Sequence, residues 1–350
     1  MKFWMQRVAM AILLLLSVSA LTFGAMNVLG DPLFNILGPL AGDVNNPKSA
    51  ALIEEVKVKY DLDKPLPVRY VKWLGDFATG DMGVQFSTDG QPPVSGLIKE
   101  RIPRTISLLV MAQLLAVMIS IPWAAITAAR AGKRSDKIST MNSFFLLAMP
   151  NFALAILLKY IFSLKLGWFP LTYKAIDPYF ERLRQVFLAA VTIALPAAAV
   201  YQRLLRTDLI TTLQQDFILM ARAKGLSRSR VIFRHAIRPS MFSFITVVGL
   251  NTGGLIGGSI VVETVFRIPG IGSSLVESVL REDFPVVLAI VAVEPTTKLS
   301  WIVKRPESET VQVWTPDELV TFKDVEFKEP AVVIDPLVWT APTVSMSPEG

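Results

Sequence analysis

Long apolar runs separated by short charged stretches set the pattern of this chain. The first run, Ala9–Leu29, covers 21 residues and is preceded by Lys2 and Arg7. About 20 apolar residues are enough to cross a hydrocarbon layer of ~30 Å, so this run predicts a first transmembrane helix. Val18-Ser19-Ala20 resembles a small-residue cleavage site, which leaves a signal peptide as the alternative. A signal core, however, is usually only about 7–15 residues long. Either reading sends the following segment outside.

Four further runs follow at Thr105–Ala129, Met141–Leu164, Val186–Tyr201 and Ser240–Val262. Pro122, Pro150 and Pro196 interrupt three of them, and neighbouring helices can satisfy the freed carbonyls, so these prolines predict kinks. Gly249, Gly253, Gly254, Gly257 and Gly258 crowd the last of the four. Small residues predict close helix approach there, with pore lining as the alternative. A sixth run, Phe284–Val293, is stopped by Glu294 and Pro295. Ten apolar residues cannot cross alone, and a carboxylate near mid-span costs about 2.5–3.5 kcal/mol. A re-entrant or poorly formed span is expected. The fold class is therefore an all-α integral membrane protein, a polytopic helix bundle with five clear spans plus a weak sixth.

Between the first two runs lies a polar region, residues 31–104, with two expected helices. One follows Pro47 and spaces Leu52, Ile53, Val56 and Tyr60 helically. The other begins near Pro67 and lines up Tyr70, Trp73, Leu74 and Phe77 before Gly80. Such an aromatic stripe packs against neighbours or lies at the membrane interface.

Composition agrees with this pattern. The 350 residues are 52% hydrophobic and 18% charged, and the mean hydropathy is +0.48, too apolar for an ordinary soluble domain. With no cysteine, disulfides, thiolate metal sites and a cysteine nucleophile are excluded. The single histidine, His235, sits among arginines, and a histidine-built metal centre or proton relay is not expected. Lys159 and Lys165 fall near the end of the third run and are expected to snorkel to the interface. No cofactor and no metal is called for, and no nucleic acid.

Charge divides the chain and orients it. Residues 294–350 hold five Lys/Arg and ten Asp/Glu, a net of −5 in a chain of +6, so residues 1–293 carry +11. Residues 130–140 carry Arg130, Lys133, Arg134 and Lys137 against Asp136, and residues 202–239 carry eight Lys/Arg against Asp208 and Asp216. Lys/Arg excess marks the cytoplasmic side. Both loops then face inward, residues 31–104 face outward and the N-terminus is cytoplasmic. The expected organisation is a first transmembrane helix over 1–30, an external region over 31–104, a core over 105–293 with its cytoplasmic loop at 202–239, and an acidic tail over 294–350.

The segment richest in information is Ala221–Ser240, ARAKGLSRSRVIFRHAIRPS. It reads as a short helix, a glycine turn and a basic amphipathic helix. Gly225 supplies the left-handed angle of the turn, and Val231, Ile232 and Ile237 are apolar anchors among Arg228, Arg230, Arg234 and Arg238. A knob of this kind suits docking into a groove on a soluble partner. By charge alone it is an ordinary basic inside loop, or a surface for acidic lipid.

This segment resembles the cytoplasmic EAA loop of type I ATP-binding-cassette importer permeases, in their dipeptide/oligopeptide/nickel branch. The same branch is matched in order by GDP at Gly30–Pro32, YDLDKPLPVRYVKWLGDFATGDMG at Tyr60–Gly83 and VVETVFRIPGIGSSLVESVLREDFPVV at Val261–Val287. The resemblance implies a type I importer transmembrane domain in the inner membrane, which is half of a translocation pathway for di- or oligopeptides. It further implies a second permease subunit as heterodimer partner, two cytoplasmic ATPases and an external substrate-binding protein. A nickel importer subunit is the alternative within transport; outside it, the alternative is a membrane assembly protein that binds acidic lipid through its basic loop.

Carried over by position, Ala221, Arg222, Ala223, Lys224, Gly225, Leu226 and Ser227 form the ATPase-coupling loop. The resemblance also implies that Arg267, Pro269, Gly270 and Gly272 lie near the docking face for the binding protein; by residue chemistry alone this turn is equally a surface cap. The motif's glutamate falls on Leu219, its proline falls one place late at Pro239, and the acidic tail departs from the family's short basic end. A fused or disordered tail is expected, with a small β element at pieces such as Ala331–Ile334 as the alternative. No G-x-x-x-x-G-K-[ST] phosphate loop occurs, since Gly132-Lys133 is followed by Arg134. Nucleotide hydrolysis is thus expected on separate subunits, and this chain is not expected to be an enzyme.

Overall fold

The computed structural model describes the backbone of residues 2–43, 45–88, 90–174, 176–302, 311–314 and 319–322. Two units are distinguished, residues 1–304 and 305–350. The second contains an antiparallel pair of strands, β1 Val311–Trp314 and β2 Leu319–Phe322, with Val311 opposite Phe322. The β-prone piece Ala331–Ile334 lies outside the described residues.

The first unit is helical. Its first helix, α1, runs Lys2–Leu29 and is followed by α2 Pro32–Leu37, α3 Pro47–Lys59 and α4 Leu66–Thr79. The apolar positions expected to face inward do so in part: Ile53 and Val56 of α3 are buried, whereas Leu52 is exposed. Gly80 closes α4 in the left-handed conformation at φ 91°. The aromatic stripe of α4 packs on α1, with Tyr70 edge-on to Phe23 at 5.5 Å and its hydroxyl 2.8 Å from that of Ser19.

The remaining helices are α5 Val94–Ala129, α6 Arg134–Ala148, α7 Asn151–Leu158, α8 Tyr179–Thr212, α9 Asp216–Ala223, α10 Arg228–Arg230, α11 Ile237–Phe266, α12 Ile271–Leu280 and α13 Phe284–Ile302. A π-helical segment at Val231–Ala236 joins α10 to α11, giving one continuous stretch from Arg228 to Phe266. Among the described residues, three helices are long and apolar enough to cross a membrane. The count rises to five if two bent pairs each make one crossing, α1 with residues 32–42 at 68° and α6 with residues 151–165 at 103°.

The prolines act differently from one another. Pro122 and Pro196 are absorbed inside α5 and α8. Pro150 instead separates α6 from α7, because its extended backbone starts a new helix where the third run was expected to pass with a kink. The sixth run, Phe284–Val293, is a short apolar helix and is not among the three long enough to cross. The α13 backbone stays helical through Glu294 and Pro295 to Ile302, and its first half buries Val286, Val287, Ala289 and Ile290.

Close packing falls to alanines. Ala112, Ala116, Ala124 and Ala128 of α5 meet Ala189, Ala190, Ala194 and Ala198 of α8, all buried, and the lack of side-chain bulk lets the two backbones approach. Of the α11 glycines, Gly258 is approached by Asn151 of α7, at 3.2 Å from where a Cβ would stand, but two others are not used this way within the subunit. A Cβ at Gly254 or Gly257 would meet open space. Phe242 and Ile245 on the same helix are 81% and 61% exposed, so this apolar face has no partner among the described residues.

Candidate functional site

The basic segment folds into an elbow between α8 and α11. Thr212 ends α8, Asp216 opens α9, and after Ala223 the chain reverses through Gly225 at φ 76°. That left-handed angle is nearly free for glycine and costs other residues about 1–2 kcal/mol. The Gly225 amide donates to the Arg222 carbonyl at 2.9 Å, closing the turn.

The elbow has two faces. Ile218, Ala221, Val231 and Ala236 are buried and pack with Leu205 and Leu209 of α8 and Phe244 of α11. On the other face Phe217, Leu219 and Met220 are 41%, 53% and 64% exposed. Arg222, Ala223, Lys224, Gly225 and Ser227 are exposed as well, and Leu226 is half-buried. Beside them, Arg230, Arg234 and Arg238 line an open basic hollow with Ser227, Ser229 and Phe233. Their four-residue spacing puts them on one side of the helical stretch.

Polar contacts hold the elbow against the bundle. The Thr212 and Ser240 hydroxyls meet at 3.1 Å, joining the end of α8 to the first turn of α11. The Arg228 guanidinium donates to the Ala129 carbonyl at the end of α5, which brings the basic stretches 130–140 and 202–239 to the same end of the bundle. Nearby, Arg206 of α8 makes two hydrogen bonds to Asp136 of α6, at 2.7 and 2.6 Å. The same carboxylate accepts the Gly132 amide at 3.0 Å. Gln202 bridges Ser143 and Thr127, each at 2.9 Å, in the buried layer above. Sequence reading counted Asp136 only as a counter-charge among the basic residues 130–140 and did not single out Gln202 or Arg206.

At the other end of α11, the second predicted segment turns back on its own helix. Glu263 is fully buried and accepts the Thr105 hydroxyl at 2.7 Å and the Ser273 amide at 2.9 Å. The Thr105 oxygen accepts the Ile271 amide at 2.8 Å, and Arg104 reaches the Pro269 carbonyl at 3.3 Å. A Cβ on Gly270 would collide with the Glu263 carboxyl and the Thr105 hydroxyl, and one on Gly272 would come within 2.6 Å of the Ile260 Cα. Both glycines are therefore buried packing positions. Of the residues singled out in this turn, Arg267 is exposed and Pro269 partly so. Lys159 does not simply extend to an interface: its ammonium donates to the Val265 carbonyl at 2.6 Å and lies over Phe266.

One helical stretch thus ties the elbow to this buried carboxylate. The 30 residues of α11 span about 45 Å at ~1.5 Å per residue. The helical backbone is continuous from Arg228, three residues past Gly225, to Glu263, which accepts the Ser273 amide of α12.

Comparison with known proteins follows the same regions. Residues 94–295 match the family model described as binding-protein-dependent transport system inner membrane component. The chain is 36% identical over 293 residues to the oligopeptide transport system permease protein AppB of Bacillus subtilis, covering 82% of this chain and 90% of that protein. It is 38% identical over 290 residues to a putative peptide transport system permease protein of Brucella suis, covering 81% and 88%. It is 30% identical over 289 residues to the dipeptide transport system permease protein DppB of Lactococcus lactis, covering 82% and 90%.

Proposed function

This chain belongs to the family of binding-protein-dependent transport system inner membrane components, and on that premise we propose that it supplies half of the translocation pathway of an ATP-driven peptide importer. It is a membrane protein and a transport permease. The observation that carries the finer reading is the elbow, whose inner face is sealed into the bundle while Phe217, Leu219 and Met220 stand bare on the outer face. Apolar side chains ringed by Arg222, Lys224, Arg228 and Arg230 fit a groove on a soluble partner better than a lipid surface. That partner is an ATPase pair beneath the membrane, and Ala221–Ser227 is the coupling loop.

Coupling follows from differential affinity. ATP can shift the pathway between inward- and outward-open states only as far as it binds the two states unequally. In this proposal closure of the ATPase pair pulls the elbow, and the α8 and α11 ends joined by Thr212 and Ser240 move with it. The exposed face of α11 around Phe242 and Gly254 receives the second permease subunit, as a heterodimer. Arg267 and Pro269 meet the external binding protein, with Gly270 and Gly272 shaping the turn behind them. Peptide cargo is favoured over nickel by the names of the three relatives.

Orientation follows from the two basic stretches gathered at one end. That end is cytoplasmic, so the N-terminus is cytoplasmic, residues 31–104 are external and the location is the inner membrane. Co-expression with the ATPases of its own transporter tests the proposal. Stoichiometric co-purification, lost on Met220→Asp, is expected; co-purification with lipid alone would refute it.

A further inference from the structure

A cavity of about 350 Å³ lies where α1, α4 and α13 meet, outside the elbow and the Glu263 turn. Its volume is in the range of small-ligand sites, roughly 300–1,000 Å³. Phe23 of α1 and Phe284 of α13, both buried, contribute apolar surface, and Trp73 stands beside Phe23 with ring centroids 6.5 Å apart. On α4, Arg69 holds its guanidinium 5.7 Å above the Phe23 ring, and burial lowers its pKa. Asp76 and Asp81 also line the wall, while Lys72 is paired with Asp61.

Three features point to an occupant. Arg69, half-buried, forms no salt bridge among the described residues, and neither do Asp76 and Asp81, which are exposed at the rim, Asp81 accepting the Gly83 amide at 2.9 Å. The Trp73 indole N–H is shielded from solvent without an acceptor, a condition that costs a buried donor about 1–3 kcal/mol. And α1, which lends Phe23 and Asn27 to the wall, leaves its apolar Leu13, Leu21 and Val28 66%, 75% and 83% exposed. A ligand that suits these walls carries an anionic oxygen for Arg69 and, after a side-chain shift, for Trp73. It also carries a hydrogen-bonding cation for Asp76 and Asp81, and an apolar part for the bare face of α1.

We infer that this cavity binds the head group of an aminophospholipid, its phosphodiester against Arg69 and Trp73 and its primary ammonium against Asp76 and Asp81. A purely anionic head would offer Asp76 and Asp81 no cation of its own, whereas an ammonium adds one hydrogen-bonded partner to them. A quaternary ammonium could not donate a hydrogen bond to them. Aromatic side chains with a polar edge, such as Trp73 and Tyr70, are the residues that settle at head-group depth.

The inference rests on the chain being membrane-embedded and not on coupling or cargo, so its test is separate from the ATPase experiment. The full-length chain, co-purified with its partner subunits in detergent, is titrated with short-chain phosphatidylethanolamine, phosphatidylglycerol and phosphatidylcholine and read by native mass spectrometry. Phosphatidylethanolamine is expected to be retained at least about fivefold better than the other two. Trp73→Phe, which keeps the ring and loses the N–H, and Arg69→Gln should each reduce retention about fivefold, the worth of one hydrogen bond, with melting temperature unchanged. Glycerophosphoethanolamine, which has no acyl chains, should displace the lipid. Equal retention of the three lipids, unaltered retention in both variants, or no displacement by the free head group would each overturn the inference. Displacement by a simple dipeptide would assign the cavity to cargo and overturn it too.

Discussion

The Glu263 carboxylate and the Thr105 hydroxyl, 158 residues apart in sequence, meet at 2.7 Å in the buried end of the bundle. Their contact puts an ionisable group in a fully buried place, and Ser273 completes it with a backbone N–H at 2.9 Å. The Arg267–Gly272 turn is folded around this carboxylate, so the turn's geometry depends on side chains from two other helices. Thr105→Val keeps the shape and removes the donor. It should destabilise the protein by about 1–3 kcal/mol, because the acceptor stays buried, while Thr105→Ser should restore most of the loss. Melting of the purified protein distinguishes these outcomes.

Gly270→Ala tests the same turn by crowding. The added Cβ would press on the Glu263 carboxyl and the Thr105 hydroxyl, where neither can retreat without losing its partner. Overpacking costs about 1–3 kcal/mol. A lowered melting temperature is expected with a matching loss of uptake, whereas Gly254→Ala, whose Cβ meets open space, should leave stability unchanged.

The ion pair beside the elbow makes a further expectation. Arg206→Ala leaves Asp136 buried with only the Gly132 amide. Breaking a buried pair costs about 3–5 kcal/mol, and the partial exposure of Arg206 places this case at or below the lower end. Removing both groups, as Asp136→Ala with Arg206→Ala, should cost less than Arg206→Ala alone. A double-mutant cycle on thermal stability measures the difference.

Acid should loosen the corner between α3 and α4. Hydrogen bonds from Lys64 and then Lys72 hold the Asp61 carboxyl below its ordinary pKa, and Asp61 correspondingly raises that of Lys72. Asp61 therefore contributes stability that is fully present above an unfolded value of about 4 and is lost as pH falls through the lower folded value. The Lys72 contribution is present below about 10 and is lost as pH rises through its folded value. Hydrogen exchange across residues 57–72 should accelerate on acidification, and in Asp61→Asn that step should disappear.

Much of this architecture was legible in residue spacing, and the exceptions have identifiable causes. The helix after Pro47, the aromatic helix ending at Gly80 and the turn at Gly225 were read from local signals, a proline start and glycine stops, that act within a few residues. Pro122, Pro150 and Pro196 look alike in sequence, yet only Pro150 ends a helix, because helix continuity depends on neighbours elsewhere in the chain. Periodicity could not show that Gly254 and Gly257 of α11 face open space while alanines make the close contacts of α5 and α8. Glu263 was missed for a similar reason: its partners Thr105 and Ser273 come from other elements.

The elbow itself offers the last and most direct prediction. The chain contains no cysteine, so a single introduced thiol reports on one position without background. Arg222 and Lys224 are exposed, and Ile218 four residues before Arg222 is fully buried. With the ATPases absent, Arg222→Cys and Lys224→Cys should react with a membrane-impermeant maleimide only when it is supplied from the cytoplasmic side, and Ile218→Cys should react from neither. ATPase docking should protect the two exposed positions. Gly225→Val, strained by about 1–2 kcal/mol at its left-handed angle, should remove that protection while leaving insertion intact. Labelling of Arg222→Cys from the external side would reverse the orientation, and protection that survives Gly225→Val would separate the turn from coupling.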